Sequence, residues 1–156
     1  MGERVIDHSP VYPCTHSPVH VMLYTGIDLI EIARIERAVA RWGDRFLQRI
    51  FTAAELANYR SRLPSLAARW AAKEATAKLL GVGLRGLGAA DRGSEAVAWT
   101  EIEVVGDAGG RPVLALYGRA AARARALGLA ELSLSLSHTR EHAIACVVAL
   151  GADPAP

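Results

Sequence analysis

PSLAARWAAKEATAKLLG, residues 64–81, is the segment against which the rest of the chain has to pack. Alanine, leucine, lysine and glutamate dominate it, all strong helix formers. Pro64 suits a first turn, where its missing N–H is no loss, and Gly81 stands where a helix closes on a left-handed residue. The pattern predicts one long central helix.

Upstream, Thr52 followed by Glu55 has capping-box spacing and predicts a short helix running towards Arg60. Before it, Ile32, Ile35, Val39 and Trp42 recur at helical spacing and Gly43 supplies a stop, which predicts an amphipathic helix over 31–42. VMLYTGIDLI, residues 21–30, is apolar and partly β-branched and reads as a buried strand. Downstream, Gly81 to Ala98 is crowded with glycines, lacks periodicity and reads as a long loop. Strands at 99–105 and 112–117 flank the turn GDAGG, and a helix over 120–127 ends at Gly128. Leu132, Leu134 and Leu136 alternate with Ser133, Ser135 and Ser137 as in a half-buried strand, and HAIACVVAL, residues 142–150, reads as another buried strand. Strand, three helices, hairpin, helix and hairpin make an α+β domain with an antiparallel sheet around the long helix.

With 156 residues and 51% apolar content, the chain supports one core of ordinary size. The expected division is an irregular extension over 1–21, a domain over 22–151 and a short tail over 152–156. A formal charge of +2 points neither to a nucleic-acid coat nor to an acidic tail. Cys14 and Cys146 lie far apart and imply no disulfide framework, as expected of a reducing cytoplasm. No apolar run is long enough to span a membrane, and the leader lacks an export signal's apolar core. Cys14, His16 and His20 have a spacing zinc could use, but no second ligand pair accompanies them.

Asp28 and Glu74 draw attention because each is an acid inside an apolar or alanine-rich element. Such a carboxylate takes up a proton or finds a cation, and one divalent metal satisfies two of them. The plainer readings are a Glu74–Lys78 pair one helical turn apart and a solvated or capping role for Asp28. Arg69, Lys73 and Lys78 stand beside Gly81, Gly83, Gly86 and Gly88, a combination that can hold phosphates although it matches no nucleotide motif. His138 and His142 bracket a turn between strands, a poor arrangement for shared metal ligation. Arg34, Arg37 and Arg41 fall on one helix side, with Arg45 and Arg49 following. They form either an ordinary solvated face or a dock for an acidic partner.

Three strings then fall in register. TGIDLIEIARI (25–35), RWAAKEATAKLLGVG (69–83) and LSLSHTREHAIACVV (134–148) together resemble the holo-(acyl-carrier-protein) synthase group of 4'-phosphopantetheinyl transferases, across residues 22–150. The resemblance implies transfer of 4'-phosphopantetheine from coenzyme A to a serine of an apo acyl carrier protein, in fatty-acid, polyketide or other synthesis, with release of adenosine 3',5'-bisphosphate. It implies Mg²⁺ held by Asp28 and Glu74, and Lys78 facing the coenzyme A phosphates. It further implies Arg69, His138 and Thr139 at the nucleotide or phosphate end, Gly81 lying against the coenzyme, and Arg34 and Arg45 meeting the acidic carrier helix. A homotrimer with sites between subunits is also implied. The serine proton goes to Glu74 or to a metal-bound water, alternatives the residues leave open. The extension over 1–21 and the long loop 84–98 depart from the family pattern. Against all this stands a basic nucleotide- or nucleic-acid-binding module without catalysis.

Overall fold

The computed structural model describes residues 21–86 and 96–152. The Cys14/His16/His20 spacing, nearly all of the extension, the middle of the glycine loop and the tail beyond Ala152 lie outside the described residues.

Strand β1 (Val21–Glu31) is followed by helices α1 (Ile32–Ile50), α2 (Ala53–Tyr59) and α3 (Leu63–Leu80). Strands β2 (Ile102–Gly106) and β3 (Pro112–Leu116), helix α4 (Gly118–Ala126) and strands β4 (Leu129–His138) and β5 (His142–Ala152) complete the order. Strands β1, β5 and β4 form one antiparallel sheet in that lateral order, and β2 pairs with β3 in a separate hairpin.

Helix α3 lies across the three-stranded sheet with almost every side chain buried, including Leu66, Ala71, Ala72, Ala75 and Leu80 at 0% exposure. Its alanines let the backbone approach closely, and the closest approach is at Gly26 on β1. A Cβ there would sit 2.0 Å from the Ala75 carbonyl oxygen, so only glycine fits this crossing. Gly81 closes the helix in the left-handed region (φ 67°), with its N–H on the Lys78 carbonyl and Val82 N–H on that of Ala77. The α2 capping box forms as the spacing predicts: Thr52 Oγ1 accepts from Glu55 N–H at 3.3 Å, and Thr52 N–H donates to Glu55 Oε2 at 2.9 Å.

Four local expectations are corrected. Gly43 (φ 54°, ψ −137°) does interrupt the helix, as expected, but a second helical run follows directly across this kink and buries Phe46, Leu47 and Ile50, so α1 reaches Ile50 where an end at Trp42 was expected. The strand expected from Trp99 starts at Ile102, after a single 3-10 turn over Trp99–Glu101. β1 is buried on one face only: Gly26 and Ile30 turn to the core, whereas Leu23, Ile27 and Leu29 are 62%, 57% and 61% exposed. Trp42, expected on the core stripe, is 51% exposed.

A polar network ties the hairpin to the helices. Lys73, fully buried, pairs with Glu55 at 2.9 Å and donates to the carbonyls of Trp99 and Ile102. Glu55 also accepts from Val104 N–H, and Glu103 accepts from Thr52 Oγ1 and Tyr117 Oη. Burial pushes the Lys73 ammonium down from its usual range, and Glu55 opposes that. Its donors are spent on this network, so it is not available for phosphate. Beside the network, Trp42, Phe46, Trp70 and Trp99 form a continuous aromatic column, with successive ring centroids 6.2, 5.7 and 4.3 Å apart.

Candidate active site

The close α3–β1 crossing at Gly26 brings the second half of α3 beside the end of β1. Lys78 Nζ donates to Asp28 Oδ1 at 2.9 Å and to the Ile27 carbonyl at 3.0 Å. Glu74, one turn earlier, is held above its usual pKa first by burial and then by the Asp28 charge, while Lys78 and Arg34 pull it down. Asp28, Glu74, Lys78 and Arg34, from three elements, therefore form one electrostatic cluster. The ion pair expected of Glu74 with Lys78 is replaced by one across elements, from Lys78 to Asp28.

The cluster's chemistry suits a hard cation. Two like-charged carboxylates kept partly from water gain from a divalent ion between them. Among the described residues no third His, Cys, Asp or Glu joins them. Mg²⁺ fits such a set, because it is commonly held by one or two carboxylates and keeps its remaining positions for water and substrate oxygens.

At the other end of α3, a cleft of about 480 Å³ is lined by Ser61, Arg62, Leu63, Pro64, Ser65 and His138. It opens at the helix N-terminus, which favours anions. Pro64 and Glu74 are ten residues apart, so roughly 15 Å of helix separates this cleft from the acid cluster. His138 is exposed at the end of β4, on the sheet face that also carries Asp28. Thr139 shapes the adjoining turn: its N–H donates to the His142 carbonyl, and its Oγ1 accepts from the N–H groups of Glu141 and His142. Arg69 lies under Tyr59, its guanidinium carbon 3.2 Å from the ring centroid. It donates to the Ser65 carbonyl at 3.2 Å, while its buried Nε has no hydrogen-bond partner. Burial pushes this guanidinium down. Gly81 lies at the opposite end of α3, where Arg123 Nε donates to the neighbouring Leu80 carbonyl at 3.0 Å.

Helix α1 supplies a third feature. A groove of about 390 Å³ has Arg34, Arg37 and Arg41 at its rim and Trp42, Phe46 and Trp70 among its walls. A neighbouring hollow, past the Gly43 bend, is lined by Trp42, Arg45, Phe46, Arg49 and Gly86. Arg34 belongs both to this groove and to the field around Glu74, so the basic surface and the acid cluster adjoin. Sequence reasoning passed over Arg62 and set the exposed Trp42 on the core stripe. The dipeptide Leu63–Pro64 marked the helix start but gave no sign that Arg62 would share a cleft with a residue from β4.

Residues 24–147 match the model of the 4'-phosphopantetheinyl transferase superfamily. The holo-[acyl-carrier-protein] synthase of Herpetosiphon aurantiacus is 56% identical over 83% of this chain and all of its own length. That of Chloroflexus aurantiacus is 57% identical over 82% of this chain and 98% of its own. Among solved structures, Helicobacter pylori holo-[acyl-carrier-protein] synthase in complex with coenzyme A superposes with a TM-score of 0.66 at 30% identity, covering 80% of this chain and 98% of that one.

Proposed function

We propose a reaction and a set of residue roles on one premise: the chain belongs to the 4'-phosphopantetheinyl transferase superfamily, in its holo-(acyl-carrier-protein) synthase group. The reaction is attack by a carrier-protein serine hydroxyl on the β-phosphorus of coenzyme A. The phosphopantetheine arm passes to the serine, and adenosine 3',5'-bisphosphate leaves. The observation that carries the assignment of roles is the convergence of Asp28, Glu74 and Lys78 from two elements remote in sequence.

In this reading Asp28 and Glu74 hold Mg²⁺, whose contribution when bound is to neutralise charge on the pyrophosphate. Lys78 stabilises negative charge on the phosphate oxygens, a preorganised electrostatic role of the kind whose loss costs a few kcal/mol. Arg62, Arg69, His138 and Thr139 receive the nucleotide and phosphate end of the coenzyme at the α3 N-terminus. Gly81 lies against the coenzyme. Arg34 and Arg45 flank the α1 groove and meet an acidic carrier helix, which brings the serine towards the acid cluster because Arg34 borders both. The carriers served are those of fatty-acid or related synthesis.

We further place the enzyme in the cytoplasm as a homotrimer with sites between subunits. No helix among the described residues is long and apolar enough to cross a membrane. Support for assembly comes from the outer sheet face, where Leu23, Ile27, Leu29 and Leu150 are exposed in neighbouring rows. A non-catalytic basic module would have no use for a cross-element acid cluster beside its arginines.

The deciding experiment incubates the full chain with coenzyme A, Mg²⁺ and an apo carrier protein and measures the intact carrier mass. The expected result is a gain of one phosphopantetheine unit, abolished by chelator. Glu74→Gln should remain folded by circular dichroism yet lose most transfer, and wild-type transfer by that variant would refute the assignment.

A further inference from the structure

Lys78 is assigned above to the coenzyme phosphates, yet its ammonium is already engaged. Two of its three protons are directed at β1, to Asp28 Oδ1 and to the Ile27 carbonyl. β1 is an edge strand, so this lysine caps a free-edge carbonyl as well as a carboxylate. The partners are unequally sheltered: the Asp28 side chain is 16% exposed and that of Lys78 is 54% exposed. The carboxylate is therefore the fixed member, and the lysine reaches to it on a flexible stem open to water.

The charges in the cluster decide what that contact means. Asp28 and Glu74 carry two negative charges when ionised, and Lys78 brings one positive charge into direct contact with Asp28. Arg34 adds a more distant one from α1. The ammonium 2.9 Å from Asp28 Oδ1 leaves Oδ2 open, but its positive charge repels a divalent ion held by the same carboxylate. A lysine is also well suited to exchange, since its compact charge and rotatable donors depend on no fixed fork geometry.

We propose that Lys78 is the resident counter-ion of the acid pair, that it and the divalent cation compete for Asp28, and that cation loading frees its amine to turn to the coenzyme phosphates. One side chain thus serves the same site twice, and metal entry precedes full phosphate engagement. This rests on the reading of Asp28 and Glu74 as metal ligands, so the test separates the two.

Mn²⁺ binding to the full chain without coenzyme is measured by titration calorimetry for the wild type, Lys78→Met, Asp28→Asn and Glu74→Gln. Methionine keeps the aliphatic stem and removes the charge. Removing a competing cation should tighten Mn²⁺ binding about tenfold in Lys78→Met while transfer falls, whereas Asp28→Asn should abolish binding. In parallel, acetylation of the Lys78 amine, followed by peptide mass mapping of the wild type, should speed up at least about threefold when Mn²⁺ is saturating, because the ion pair no longer shields it. Equal or weaker Mn²⁺ binding by Lys78→Met, or a Lys78 labelling rate indifferent to Mn²⁺, overturns the exchange alone. Wild-type Mn²⁺ affinity in both Asp28→Asn and Glu74→Gln overturns the metal reading beneath it.

Discussion

Glu74 carries a thermodynamic mark that can be read without any substrate. Burial and the Asp28 charge raise its pKa on folding, so the folded chain binds this proton more tightly than the unfolded chain does. Stability from that source is fully present below the ordinary carboxylate pKa and is lost as pH rises through the raised folded value. In metal-free protein, Glu74→Gln should therefore raise the melting temperature near neutral pH, and the gain should vanish at pH values below the ordinary range. Melting curves of both proteins across pH check this, and a gain independent of pH would contradict the assigned cause. Gly26 makes a second prediction at this scale. A methyl group there meets the Ala75 carbonyl at 2.0 Å, so backbone has to move. Gly26→Ala should push α3 off β1, part Lys78 from Asp28 and cut transfer by at least about tenfold, a barrier change of about 1.4 kcal/mol. Transfer assays beside urea melts separate that loss from simple unfolding, and a variant with full activity would show that the crossing distance is not critical.

At the scale of elements, α1 and α3 divide the labour. α3 aligns an anion-favouring N-terminus, a buried middle and an acid-and-lysine turn along one axis. α1 presents arginines around Trp42 beside that turn. Arg34→Glu should raise the KM for the carrier protein about tenfold or more with little change for coenzyme A, since reversing a rim charge acts on encounter with the charged partner. Steady-state kinetics with each substrate varied decides it, and equal losses for both would remove the groove from carrier docking. The elements themselves were largely legible. The Thr52/Glu55 cap, the Pro64 start, the Gly81 close and the Leu/Ser alternation of β4 are local signals, and the structure honours each of them. The interruption at Gly43 was legible, but the helical run that resumes beyond it was not, because it depends on the packing of Phe46, Leu47 and Ile50. Nor could spacing separate the fates of Lys73 and Lys78. Five residues turn about 140° around a helix, enough to send one ammonium into the core against Glu55 and the other out to Asp28.

The whole molecule explains why β1 reads as a strand buried on both faces. Its outward row, Leu23, Ile27 and Leu29, is as apolar as a core row and is exposed in the single chain. Sequence pattern records that a row of residues is apolar, without recording what, if anything, covers it. Leu23 and Leu150 are cross-strand partners on that face, 62% and 44% exposed. The double variant Leu23→Lys, Leu150→Lys should keep its fold and sediment as a smaller species than the wild type, with transfer lost if the sites form between subunits. Unchanged sedimentation would place the assembly contact elsewhere. The acids of the site were legible as chemical oddities, but their convergence was not, since it depends on where α3 crosses the sheet.

The aromatic column has an optical consequence. The chain's three tryptophans are Trp42, Trp70 and Trp99, and all three stand in that one stack beside Phe46. Excitation is shared among indoles packed so closely, and the outermost ring is the one in contact with solvent at the arginine-rimmed groove. Emission from this protein therefore combines two buried indoles, Trp70 and Trp99, with one half-exposed ring, Trp42, so that anything settling against Trp42 alters the solvent-sensitive part of the signal.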